Sequence, residues 1–200
     1  MKILSFDLGQ INTAYSLFDV ESDQLIKWGT IPLLKKQSTY TSVCDKLIKG
    51  LDKEAILDDI SDDVIILIEL QPSSNIRTLI MSGQLHMYFN VLKTEGYFSN
   101  VIKVLFYHAN NKLKYYKPRR GDPPVKTKYA SKHYANKRIA VQHCTILLSL
   151  HGKEKDKKWL EFFNSKKKKD DYADVYLMGR KYMDDYRKGI SYFEDDDISE

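Results

Sequence analysis

Two acidic residues stand at the ends of apolar runs in this sequence. Asp7 follows residues 3–6 and precedes Gly9, where the chain can turn without a side chain blocking an approaching molecule. Glu69 ends the β-branched run 64–68. Carboxylates at the ends of two buried strands are candidate catalytic or metal-binding groups, whereas either one alone would be an ordinary turn or surface residue.

A third acidic group lies near the C-terminus. Asp171 and Asp174 are three residues apart, and Asp170 is four residues before Asp174, so either pair falls on one helical face. Carboxylates that converge in one place repel one another and need a cation, and hard oxygen ligands favour Mg²⁺ or Mn²⁺ over zinc. Two such ions can hydrolyse a phosphodiester by activating water and stabilising the departing 3′ oxygen.

The elements that must position these acids follow from hydrophobic patterning. Apolar runs predict strands at 3–8, 14–20, 24–31, 64–69 and 101–107, and helical spacing predicts helices at 40–57, 76–96, 130–150, 156–163 and 170–187. The order βββαβαβ followed by C-terminal helices is typical of an α/β, ribonuclease H-like fold with a five-stranded mixed sheet. In that fold Asp7 and Glu69 end neighbouring strands.

Composition limits the class of protein. The 200 residues are 42% hydrophobic and 30% charged, which suits one globular domain and excludes wholesale disorder. We expect a single nuclease domain at 1–190 and an acidic tail at 191–200. Apolar stretches fall far short of the roughly 18 residues of a membrane span, and the N-terminus resembles no signal or transit peptide. The sequence therefore predicts a cytoplasmic protein with no membrane association. It also predicts no nucleotide cofactor, because it has no Gly-rich phosphate loop.

A basic segment follows the last predicted strand. The net charge is +5, yet five of the last seven residues are acidic, so residues 1–193 carry 32 basic and 22 acidic side chains. Ten basic residues lie between 112 and 138, against the single acid Asp122. Phosphates of DNA are the expected partner of such a segment. The predicted DNA-binding residues are Lys112, Lys114, Lys117, Arg119, Arg120, Lys126, Lys128, Lys168 and Lys169.

Three sequence blocks resemble the signature blocks of RuvC-type Holliday junction resolvases, in the branch of poxviruses and other large DNA viruses. They are Phe6-Asp7-Leu8-Gly9-Gln10-Ile11-Asn12, Ile68-Glu69-Leu70-Gln71 and Lys168-Lys169-Asp170-Asp171-Tyr172-Ala173-Asp174. The resemblance implies a dimeric, metal-dependent endonuclease that cuts four-way DNA junctions symmetrically. The lack of a transit segment favours the viral branch over the mitochondrial one.

The resemblance also implies roles for single residues. By matching, Asp7, Glu69, Asp171 and Asp174 are the ligands of two Mg²⁺ ions, for which Mn²⁺ could substitute. Lys112 corresponds to a functional lysine that holds the scissile phosphate. The fungal mitochondrial relatives can be read with a D-x-x-x-D spacing, which would replace Asp171 by Asp170, so both residues stay candidates.

The predicted helix 76–96 is apolar on two sides. One stripe, which includes Ile80 and Met87, has the spacing of a face that covers the sheet. A second stripe is too apolar for a solvent face and predicts a homodimer interface. Its members are Met81, Leu85, Tyr88, Phe89 and Leu92.

The sequence leaves two other functions open. A ribonuclease H acting on RNA–DNA hybrids shares the fold and the metals. A non-catalytic junction-binding protein would keep the basic segment without needing the acids. Comparison of junction, duplex and hybrid substrates distinguishes these alternatives.

Overall fold

In the computed structural model the chain forms one five-stranded sheet covered by helices. The structure describes residues 1–33, 40–58, 60–126, 128, 131–150 and 156–190. The strands are β1 (Lys2–Leu8), β2 (Asn12–Asp19), β3 (Gln24–Pro32), β4 (Val64–Glu69) and β5 (Val101–Tyr107). The helices are α1 (Tyr40–Lys53), α2 (Ile76–Thr94), α3 (Lys132–Ser149), α4 (Lys157–Ser165) and α5 (Lys169–Arg187). The predicted acidic tail, 191–200, lies outside the described residues.

The sheet is mixed, with strand order β3-β2-β1-β4-β5. The meander β1-β2-β3 is antiparallel, β4 is parallel to β1, and β5 is parallel to β4. The predicted order βββαβαβ is therefore confirmed. Because β1 and β4 are adjacent and parallel, their carboxyl ends meet at one edge of the sheet.

The helices cover both faces of this sheet. On one face α1 and α2 pack against Leu4, Phe6 and Ile66, which are fully buried. On the other face, α3, α4 and α5 pack against the sheet and enclose a separate hydrophobic core. Central strands covered on both faces explain why β4 reads as a continuous apolar run rather than an alternating one.

Helix α1 ends earlier than its apolar spacing predicts. It stops at Lys53, and Ala55 has a φ of 47°, in the left-handed region that ends helices. The Lys27 ammonium group donates hydrogen bonds to the carbonyls of Glu54 and Ala55. A side chain from β3 thus satisfies carbonyl groups at this turn, which the local sequence could not reveal.

The predicted assignment of the two α2 faces is wrong. Met81, Leu85 and Phe89 are at most 1% exposed and pack under the sheet, and the predicted interface residues Tyr88 and Leu92 pack against the same cluster. The other stripe is exposed instead. Its exposed apolar members are Ile76, Leu79, Ile80, Met87 and Val91. Since both stripes are apolar, helical spacing alone could not decide which one meets the sheet.

None of the described helices is long and apolar enough to cross a membrane.

Candidate active site

The carboxyl groups of Asp7 and Glu69 meet at the carboxyl edge of β1 and β4. The register pairs Phe6 with Ile68, which places the next residues of both strands side by side. Burial raises the pKa of Asp7 well above its usual value, and the neighbouring Glu69 carboxyl raises it further. Two carboxyl groups this close favour sharing a proton over carrying two negative charges, unless a cation joins them.

Helix α5 brings the third acidic group to the same edge. The Ser16 hydroxyl donates to the Val175 carbonyl at 2.9 Å, and the Trp28 indole donates to the Tyr172 carbonyl at 3.1 Å. Gly179 lets the helix approach β2, because a Cβ there would lie 2.7 Å from the Phe18 ring. The N-terminal half of α5, which carries the acids, is thereby fixed against the sheet.

The Lys112 ammonium group lies among these acids. It is 3.0 Å from Glu69 Oε1 and 2.8 Å from Asp174 Oδ2, and its side chain is only 12% exposed. Burial disfavours the charged lysine, but the carboxylates of Asp174, Glu69 and Asp7 outweigh it and raise the pKa of Lys112. Lys112 comes from the 3₁₀ turn Ala109–Lys114, a segment without periodicity in the sequence.

Asp174 is itself perturbed by this environment. Burial raises its pKa to about 6, against the opposing effect of Lys112, and the charge of Asp7 adds to the rise. The predicted acids Asp7, Glu69 and Asp174 are therefore electrostatically coupled around one lysine.

Asp171 and Asp170 have different surroundings. Asp171 accepts a hydrogen bond from the Asn12 amide at 3.0 Å and is paired with Lys168 at 2.7 Å. Its charge also raises the pKa of Asp7, so Asp171 belongs to the same group of acids. Asp170 is paired instead with Lys137 at 2.6 Å. Although burial opposes it, this hydrogen bond lowers the pKa of Asp170.

The acidic side chains of the site are candidate ligands of a divalent metal. Within the part of the chain that the structure describes, no three Asp, Glu, His or Cys side chains stand at the spacing of a metal-ligand set. The donors nevertheless fit a hard cation chemically, since Asp7, Glu69 and Asp174 offer only carboxylate oxygens. The ammonium of Lys112 already holds a positive charge between Glu69 and Asp174. The carboxylates therefore suit Mg²⁺ or Mn²⁺, which would bind beside the Lys112 ammonium group or replace it as their positive partner.

Most of the predicted DNA-binding residues lie on the surface. Lys114, Lys117, Arg119, Arg120, Lys126, Lys128 and Lys168 are exposed, and Lys169 is half-buried. Lys112 differs, because its ammonium group faces the carboxylates rather than solvent. A cleft of about 200 Å³ lies near the start of α5. It is lined by Asp170 and by basic side chains from α3 and from the chain at and just before the N-terminal end of α5. Its basic residues are Lys137, Arg138, Lys167 and Lys169.

Sequence reasoning missed two polar contacts of the site. Asn12 donates to Asp171, and it is positioned by the turn in which Gly9 N–H donates to the Asn12 carbonyl at 3.0 Å. A Cβ at Gly9 would lie 2.7 Å from that carbonyl oxygen, so the turn requires glycine. Lys137 was one of many basic residues in its segment, and no local signal marks its pairing with Asp170.

The strand order and the helices on both faces of the sheet form a ribonuclease H-like fold, with acidic side chains at one edge of the sheet. The structure is similar to that of the yeast mitochondrial Holliday junction resolvase Ydc2, with a TM-score of 0.57 and 18% identity, covering 94% of this chain and 84% of that chain. At this identity the likeness shows the fold alone. No family model and no curated protein sequence matches the chain. The comparisons give no support to the viral branch.

Proposed function

We propose that this protein is a structure-selective DNA endonuclease that resolves four-way junctions by paired, metal-dependent hydrolysis of phosphodiester bonds. One observation carries the proposal: Asp7, Glu69 and Asp174 converge around Lys112 at the carboxyl edge of a ribonuclease H-like sheet. The similarity to a junction resolvase supports the choice of substrate. The viral branch stays a prediction from the signature blocks.

The acids would hold the metal ions, with Asp7, Glu69, Asp171 and Asp174 as ligands. Mg²⁺ bound there would supply an activated water and would stabilise the departing oxygen. Asn12 holds Asp171 in place through its amide, and the docked half of α5 holds Asp174. In the overall reaction, water adds to phosphorus and the bond to the 3′ oxygen breaks.

Lys112 has two roles in this proposal. Without divalent metal it balances the charges of Glu69 and Asp174. With DNA bound, its ammonium group neutralises charge that develops on the scissile phosphate, an interaction that is strongest in the transition state. The exposed basic residues bind other phosphates of the DNA, and these contacts position the strand without reading its sequence.

We further propose that the active protein is a homodimer that uses the exposed face of α2. This face includes Ile80 and Met87, which are 39% and 62% exposed. It lies near the edge strand β5, where Phe106 is 42% exposed and stacks on His86. A second copy is the expected occupant, because a four-way junction presents two equivalent strands and a two-fold dimer offers one site to each.

Cleavage assays on three substrates test this function. We expect paired, symmetric cuts in a four-way junction with Mg²⁺, little cleavage of linear duplex, and no cleavage in EDTA or by Asp174→Asn. Preferential cutting of the RNA strand in a hybrid would identify a ribonuclease H instead. Tight junction binding without cleavage in Mg²⁺ or Mn²⁺ would identify a non-catalytic junction-binding protein.

A further inference from the structure

A second basic cleft lies at the C-terminal half of α5, away from the acids. It encloses about 340 Å³ between α5, α3 and the segment that follows the 3₁₀ turn. Its charged lining residues are Lys114, Lys117, Arg119, Lys181, Asp184 and Lys188. Two of its five cations, Lys181 of α5 and Lys188 just after its last residue, were outside the predicted DNA-binding set.

The wall of this cleft is a built structure rather than a loose surface loop. Asp122 accepts hydrogen bonds from the Arg119 backbone N–H at 2.7 Å and from the Tyr116 hydroxyl. Tyr116 is 5% exposed, and its ring packs on His143 of α3 with ring centroids 4.6 Å apart. The turn that carries Arg119 is thereby anchored to the helical layer.

The cleft keeps a positive charge after its internal ion pairs are counted. Lys188 is paired with Asp184, and Lys181 with the buried Asp185. Lys114 donates to the Asn111 side-chain oxygen at 2.9 Å, a neutral partner that leaves the lysine charge in place. Five cations face three acids, because Asp122 in the wall counts together with Asp184 and Asp185, and an excess of two positive charges remains. Phosphate is the anion that suits several converging ammonium and guanidinium groups.

The cleft and the candidate active site lie at different positions along α5, with the cleft nearer to the C-terminus of the helix. Asp174 and Lys181 are seven residues apart and share one face of α5. Lys188 is seven residues further on and caps the C-terminus of the same helix. At 1.5 Å per residue, Lys181 and Lys188 lie about 10 and 21 Å along the helix from Asp174. A duplex advances 3.4 Å per base pair, so this span corresponds to about 3–6 base pairs.

We propose that this cleft is an accessory phosphate site, which binds the backbone of one DNA arm about 3–6 base pairs from the cleaved bond. The inference rests on the proposed function, because it takes DNA as the ligand. The bound DNA arm would run from the acids past the 3₁₀ turn toward the C-terminus of α5.

Binding without divalent metal tests the site separately from catalysis. The variant Lys117→Ala/Lys188→Ala removes two exposed lining cations. Its matched control, Lys46→Ala/Lys49→Ala, removes two exposed charges from α1 on the opposite face of the sheet. We expect the cleft variant to bind a four-way junction about 10-fold more weakly and to lower the slope of log affinity against log salt by up to about 2. The control should stay close to wild type.

A scan of neutral methylphosphonates along one arm identifies the bound phosphate. For wild type, we expect substitutions 3–6 base pairs from the cleaved bond to weaken binding, and the same substitutions to have no further effect on the cleft variant. Such non-additivity indicates direct contact. Additive effects at every position, or equal loss in the α1 control, would overturn the proposal. Cleavage is measured separately with Mg²⁺, so an inactive protein that still shows the non-additivity would refute the endonuclease but keep the phosphate site.

Discussion

At the level of single residues, the site is governed by charge balance. Lysine ammonium groups lie against the acids: Lys112 on Glu69 and Asp174, and Lys168 on Asp171. Buried carboxylates without such partners would strongly destabilise the fold. Removal of one charge therefore changes the protonation state of the neighbouring groups. Conservative amide substitutions are therefore the cleanest probes, because they keep shape and remove charge.

Replacing the central acids should abolish cleavage and leave DNA binding. We expect Asp7→Asn, Glu69→Gln and Asp174→Asn each to lower the cleavage rate about 100-fold or more, since each removes a carboxylate from the ligand set. Junction affinity in metal-free buffer should change little, because exposed cations provide it. Gel-shift and single-turnover cleavage assays measure both quantities. An Asp174→Asn protein with wild-type cleavage would refute the site.

Asp171→Asn should damage cleavage more than Asp170→Asn. Asp171 accepts a hydrogen bond from Asn12, and its charge raises the pKa of Asp7. Asp170 instead forms an ion pair with Lys137. The two variants carry the same charge change on adjacent residues, so each controls for the other in single-turnover rates with Mg²⁺. The reverse order of damage would favour the D-x-x-x-D spacing and make Asp170 the ligand.

At the level of elements, the two faces of a helix can have the same apolar character and different roles. The buried face of α2 packs on Phe6, whose ring stacks on Phe89 with centroids 5.7 Å apart. Its opposite face is exposed at Ile76 and Met87, both 62%. A third helix, α3, places His143 in the core, where its Nδ1 atom has no hydrogen-bond partner among the described residues.

Substitutions on the two faces of α2 should differ in stability. Leu85 is 1% exposed and Met87 is 62% exposed, two residues away on the same helix. We expect Leu85→Ala to lower the free energy of unfolding by about 2–5 kcal/mol, and Met87→Ala to change it by less than about 0.5 kcal/mol at a protein concentration where the chain is monomeric. Urea denaturation followed by circular dichroism measures both. Equal losses would mean that the assignment of the faces is again wrong.

His143 should make the protein less stable in mild acid. Burial lowers its pKa from 6.5 to about 4. Between these values the unfolded chain binds a proton that the folded chain does not, so stability falls as pH decreases from 6.5 to 4 and this contribution is absent above 6.5. The loss should be about 2 kcal/mol and should disappear in His143→Gln. Urea midpoints at pH 7 and pH 4.5 for both proteins check this, and identical pH dependence would contradict it.

At the level of the whole molecule, the sheet separates two surfaces with different tasks. The face covered by α3, α4 and α5 carries the acids and both basic clefts. The exposed stripe of α2 belongs to the other face and carries apolar side chains. Two copies joined through α2 would therefore leave both acidic sites accessible to DNA.

The proposed dimer should depend on the exposed face of α2. We expect light scattering at micromolar concentration to give twice the monomer mass for wild type, and the monomer mass for Met87→Asp, with a wild-type circular dichroism spectrum. Paired incision of a cruciform plasmid should then change to single nicks, because one encounter delivers one active site. Lys46→Asp on α1 is the control for an added surface charge. A monomeric wild type, with and without junction DNA, would refute the dimer.

The sequence by itself determined the element order and the candidate acids. The charged residues Asp7 and Glu69 directly follow the apolar runs 3–6 and 64–68, and helical spacing places Asp171 and Asp174 on one face. Both features depend on periodicity and burial patterns among residues that are close in sequence.

Only the tertiary structure decided which side chains meet. Lys112 reaches Glu69 across 43 positions, and Asn12 reaches Asp171 across 159, distances at which no local pattern carries information. The choice between the two apolar faces of α2 was also tertiary, because either stripe could cover a sheet, and the sheet's own shape and register selected Met81, Leu85 and Phe89. Periodicity states that a face is apolar, whereas packing against a particular neighbour determines whether it is core or surface.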